Sequence, residues 1–139
     1  MYSARSCLEQ YRQTSLAGAV LEASPHRLIA LLLRGARERI QLASAALGRG
    51  DLARKAQAIG SACAIIDGLR MALDARAGGE IAERLDSLYE YSGLRLVEAN
   101  AANDPVRLQE VDDLLGDIET AWASLPASMA NASPNGTAG

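Results

Sequence analysis

Several chemistries are thinly supplied or missing in this chain of 139 residues. Its two cysteines, Cys7 and Cys63, cannot build a disulfide framework and lack metal-ligand spacing, which predicts a reduced protein with Cys63 as a small core residue. There is one histidine, His26, and one lysine, Lys55. No apolar run approaches the ~20 residues needed to cross a bilayer, and the N-terminal MYSARSCLEQYRQ has no apolar core of a secretory signal. A formal charge of −3 and a pI near 5.1 argue against a nucleic-acid partner, which calls for a basic face. Gly-rich phosphate loops, nucleophile elbows and Cys–His pairs are missing too. The expectation is a cytoplasmic protein without membrane insertion, catalytic residue, cofactor or metal.

What is present is helix. Ser24 and Pro25 form a start signal, a hydroxyl cap followed by a ring preset to helical φ. The unbroken apolar run Leu28, Ile29, Ala30, Leu31, Leu32, Leu33 follows and covers more than one helix face. The first helix extends to about Leu47, where Gly48 and Gly50 end it. A second begins at the cap Asp51 and continues to about Ala75. Its spine is Leu52, Ile59, Ile66 and Leu73, spaced by seven, with Ala56 and Cys63 between them. After Gly78 and Gly79 a third helix buries Ile81, Leu85, Leu88, Tyr89, Ser92, Leu96 and Ala99. Asn103, Asp104 and Pro105 open a fourth, which carries Val111, Leu115, Ile118, Trp122 and Leu125 on one face before Pro126.

Short loops make successive helices antiparallel neighbours, so the predicted fold is all-α, an up-and-down four-helix bundle over 24–125. Residues 1–23 form an apolar N-terminal arm (Leu8, Tyr11, Leu16, Val20, Leu21) expected to pack on the bundle. Residues 126–139 have the composition of a disordered tail.

Two helices carry apolar lines beside their core stripes: Ala58, Ala62, Ile65, Leu69 and Ala72 on the second, and Tyr91, Leu94, Val97 and Ala101 on the third. Each reads either as a wide buried face or as a groove for a partner helix. With the leucine run of the first helix they define the candidate partner-binding set Tyr11, Leu21, Leu28, Leu32, Leu33, Ala62, Ile65, Leu69, Tyr91, Leu94 and Val97.

Phosphotransfer through His26 is the enzymatic alternative, since such domains are also four-helix bundles. His26 sits in a first turn followed by Arg27 and Leu28, not mid-helix beside Lys and Gly. The acidic pairs Glu80/Glu83 and Asp112/Asp113 lack the histidines of a di-metal bundle and are read as solvated faces. Arg49-Gly50-Asp51 is read as a turn and a cap. A bundle that self-associates as an adaptor is the other alternative.

The ordered segments YRQ (11–13), VLEASPHRLIALLLRGA (20–36), Gly50–Lys55, IIDGLRMALD (65–74), GGEIAERLDSLYEY (78–91), LVEAN (96–100), NDP (103–105) and Trp122 resemble the flagellar secretion chaperone FliS family. Leu33 departs from the tyrosine common in the family, and Ser92 from a larger apolar residue. The resemblance implies a chaperone that binds the C-terminal region of flagellin, disordered before assembly, and hands it to a flagellar export-gate component. It also implies an N-terminal arm, here holding Tyr11, Val20 and Leu21, lying over part of the binding surface in the free state. A monomer or weak homodimer is expected.

Overall fold

The computed structural model describes residues 24–73 and 79–125. They form four helices: α1 (Pro25–Gly48), α2 (Leu52–Ala72), α3 (Gly79–Ala102) and α4 (Pro105–Ala123). The expected arm and tail lie outside the described residues.

The caps follow from local chemistry. Ser24 Oγ accepts the Arg27 N–H at 3.1 Å, Asp51 Oδ1 accepts that of Arg54 at 3.1 Å, and Asp104 Oδ1 accepts that of Val106 at 2.9 Å. Each satisfies a first-turn donor that has no partner within its helix. The helix ends are equally specific. Gly50 has φ 75°, its N–H bonds to Leu47 O at 3.0 Å, and the Asp51 N–H reaches Ala46 O at 2.9 Å. This is the reversal that glycine permits after a helix, and Asp51 then caps α2 at once. Arg49-Gly50-Asp51 is therefore a turn and a cap, as predicted.

Asn103 does the same work between α3 and α4 at φ 52°, with the Asp104 N–H on Ala99 O at 3.0 Å. Asparagine tolerates this left-handed conformation better than other side-chain-bearing residues. At the far end of α2 the helix stops at Ala72, short of the predicted Ala75, with the Leu73 N–H drawn to Arg70 O in a tightened last turn. Leu125 falls beyond α4, where the following Pro126 disfavours helical backbone.

Each helix packs on two neighbours: α1 on α2 and α4, α3 on α2 and α4. Cross-helix bonds show the directions. His26 meets Trp122, and Arg37 meets Asp112, so α1 and α4 are antiparallel. Arg70 meets Asp86 and Lys55 meets Asn100, so α2 and α3 are too. Tyr91 and Arg95 meet Glu110 across α3 and α4. The predicted antiparallel four-helix arrangement is the one observed.

The core is one cluster that includes Leu32, Leu33, Ile40, Ile59, Ile66, Tyr89, Leu96, Leu108, Val111 and Leu115. Three predicted core positions are solvent-facing. Leu52 is 48% exposed and Ala56 is exposed; Lys55 is already level with Asn100 and Asn103, so Leu52 projects past the last turn of α3. Ile81 is 71% exposed because Arg70 pairs with Asp86, which leaves Ile81 beyond the end of α2.

Candidate functional site

Among the described residues, the outer face of α3 carries uncovered apolar surface in an ordered line. Its inner face is filled by Tyr89, Ser92, Leu96 and Ala99, all buried. Ser92 fits because its Oγ donates to Leu88 O at 2.8 Å, which spares a buried hydroxyl from going unpaired. The opposite face presents Tyr91, Leu94 and Val97, the last two each 60% exposed. At spacings of three they run diagonally over the helix, with Ala101 continuing the exposed line.

A polar clamp braces this face against α4. The Tyr91 hydroxyl donates to Glu110, and Arg95 Nε and Nη2 donate to the same carboxylate at 3.0 and 2.9 Å. Arg95 also reaches Glu98 at 2.7 Å and lies over the Tyr91 ring. Hydrogen bonds from Tyr91 and then Arg95 hold the Glu110 carboxyl below its ordinary range, while donation to that carboxylate raises the Tyr91 phenol.

The second apolar line of α2 has the other fate. Ala58, Ala62, Ile65 and Leu69 are buried in the core cluster, and only Ala72 is exposed. Leu32 and Leu33 of the leucine run are buried at 1% and 0% exposure, and Leu28 packs partly buried against the core. The groove assignment is therefore corrected at Leu32, Leu33, Ala62, Ile65 and Leu69, which present no surface to a partner in this conformation. The physical reason is close packing of α1 and α2, the most extensive helix pair in the bundle. Both carry small buried residues, Gly35, Ala36, Ala43 and Ala46 on one and Ala58, Ala62 and Gly68 on the other. Small side chains bring two helices together and draw the flanking larger residues inside. Tyr11 and Leu21 lie outside the described residues.

Polar pairs lock the remaining seams. Arg37 donates from Nε to Asp112 and from Nη1 to Glu119, each at 2.8 Å, with its guanidinium over Gly116. Asp112 is thus a buried ion-pair partner and not part of a solvated face, a correction to the sequence reading. His26 is half-buried: its ring stacks on Trp122 with centroids 5.2 Å apart, its Nε2 lies 3.2 Å from Trp122 O, and the indole N–H donates to His26 O at 2.9 Å.

Lys55 went unremarked as a structural element. It is 4% exposed and donates to Asn100 O at 2.9 Å and to Asn103 Oδ1 at 2.6 Å, placing a cation on the C-terminus of α3. Its being the one lysine in the chain was the available signal. Burial pushes the Cys63 thiol up to about 11, so it stays protonated at neutral pH. Among the described residues no group of His, Cys, Asp and Glu could hold a metal, and no helix is long and apolar enough to cross a membrane.

Comparison with known proteins finds relatives that match most of the chain. The family model described as flagellar protein FliS matches residues 7–129. Flagellar secretion chaperone FliSB of Pseudomonas aeruginosa is 47% identical over 122 residues, 88% of this chain and 96% of the relative. Flagellar secretion chaperone FliS of Salmonella typhimurium is 43% identical over 126 residues, 90% and 93% of the two chains. The Bacillus subtilis protein of that name is 33% identical over 112 residues, 81% and 80% of the two chains.

Proposed function

Because the chain belongs to the FliS family of flagellar proteins, we propose that it is a cytoplasmic export chaperone that binds the disordered C-terminal segment of flagellin. By holding that segment it prevents premature polymerisation and keeps the subunit competent for flagellar type III secretion. The observation that carries this reading is the line Tyr91, Leu94 and Val97, left exposed on a helix whose other face is closed in the core. Anchors at such spacing suit an amphipathic helix laid along α3.

Coupled folding supplies the energetics. Ordering a disordered segment costs roughly 2–5 kcal/mol of the gross interaction energy, so the contact needs broad apolar area yet stays releasable. Release fits delivery to an export-gate component. Tyr11 and Leu21 of the apolar N-terminal segment belong to the same proposed contact set.

Mixing the full chain with the flagellin C-terminal segment and weighing the product by light scattering after gel filtration tests the reading. A 1:1 complex that also suppresses filament growth is expected. A stable oligomer that ignores the segment would replace this function with that of a self-associating bundle.

A further inference from the structure

Charge is distributed unevenly along the exposed face of α3. Glu90, Leu94, Val97 and Ala101 stand at successive spacings of four, three and four, which puts them on one side of the helix. Glu90 has no ion pair among the described residues, and it stands beside a further acidic excess. Arg70 pairs with Asp86 at 2.8 Å across the α2–α3 seam, and the charges of Glu90 and Asp67 add to the negative field around it. The surface is apolar toward the α3 C-terminus and negative toward its middle.

Resting on the export-chaperone reading, we infer that this face takes an amphipathic helix of the exported subunit in a fixed register. Aliphatic side chains sit on Leu94, Val97 and Ala101, and a lysine or arginine one turn further along sits over Glu90. Apolar anchors supply contact area but define register weakly on an aliphatic line. A cation matched to one end supplies the register, because a shifted helix would bring an apolar or acidic group against the carboxylates.

Calorimetric titration of the full-length protein with the C-terminal segment of its own organism's flagellin tests this. Glu90→Lys is expected to weaken binding about tenfold, with a smaller loss at high salt. Asp113→Lys, the same charge change on the exposed face of α4, is expected to stay within about twofold. Leu94→Asp should abolish measurable binding. If Glu90→Lys behaves like Asp113→Lys while Leu94→Asp still abolishes binding, the helix docks without the charge register and the inference fails, although the export-chaperone reading stands. If Leu94→Asp retains full affinity, docking lies elsewhere. Tighter binding by both α3 variants would make the occupant the chain's own residues 1–23, and a wild-type dimer dissolved by Leu94→Asp would make it a second copy; either overturns the inference. Failure of the wild type to bind the segment at all would sink the underlying function instead.

Discussion

Leu69 and Leu94 have the same side chain and opposite environments, and aspartate at each should separate core from surface. Leu69 is 1% exposed within the core cluster, whereas Leu94 is 60% exposed. Truncating a leucine in such a core costs about 2–5 kcal/mol through lost transfer energy and the cavity left behind. Aspartate adds the desolvation of a carboxylate with no cation provided for it, several kcal/mol more if it stays ionised. A domain of this size has roughly 5–15 kcal/mol in total, so Leu69→Asp is expected to unfold the protein or leave it at the edge of folding. Leu94 loses little burial on substitution. The dominant cost there is helix propensity, about 0.5 kcal/mol. Urea unfolding followed by far-ultraviolet circular dichroism should show a cooperative transition for Leu94→Asp close to wild type, and a collapsed or missing one for Leu69→Asp. A Leu69→Asp protein that unfolds like wild type would refute its placement in the core. A Leu94→Asp protein destabilised by more than about 2 kcal/mol would refute the free outer face of α3.

Lowering the pH should act on two inter-helix pairs. Asp86 and Glu110 are held below their ordinary values of 3.8 and 4.5 by Arg70 and by Tyr91 with Arg95, so their contribution is full above those values and disappears as pH falls through the lower folded ones. Acid titration of wild type against Glu110→Gln should show the variant losing less stability below pH 4.5; equal losses would remove Glu110 from the account. Lys55→Met leaves Asn100 O and Asn103 Oδ1 without their donor and should cost about 1–3 kcal/mol in urea unfolding. Gly93→Ala meets open space and should stabilise α3 by about 0.5–1 kcal/mol. Gly116→Ala would place its Cβ 3.0 Å from the Arg37 guanidinium carbon and should gain less; a larger gain would show that the Arg37 clamp is loose.

How much of this was legible depends on the range of the interaction involved. Capping joins a side chain to a backbone group two or three residues on, so Ser24-Pro25, Asp51 and Asp104-Pro105 marked the helix starts correctly before any neighbour was known. The inner stripe of α3 was legible for a similar reason, since Tyr89, Ser92, Leu96 and Ala99 repeat at helical spacing against polar neighbours. The candidate site was legible only in part. Tyr91, Leu94 and Val97 form an exposed stripe as read, while Ala62, Ile65 and Leu69 belong to the core despite an equally convincing pattern.

The difference lies in what periodicity can carry. It specifies which residues share a face of a helix, and together with the capping residues it determined four helices and an all-α bundle. It does not specify what stands opposite that face. The small residues of α1 and α2 could have admitted a partner, and only the tertiary structure shows them spent on each other, drawing Leu32, Leu33 and Leu69 inside. The same holds for Arg37 with Asp112 and Glu119 and for Lys55 with Asn103, pairs 75, 82 and 48 residues apart. Such pairs depend on the relative rotation and height of whole helices, quantities set by packing all four together and written in no local stretch of the chain.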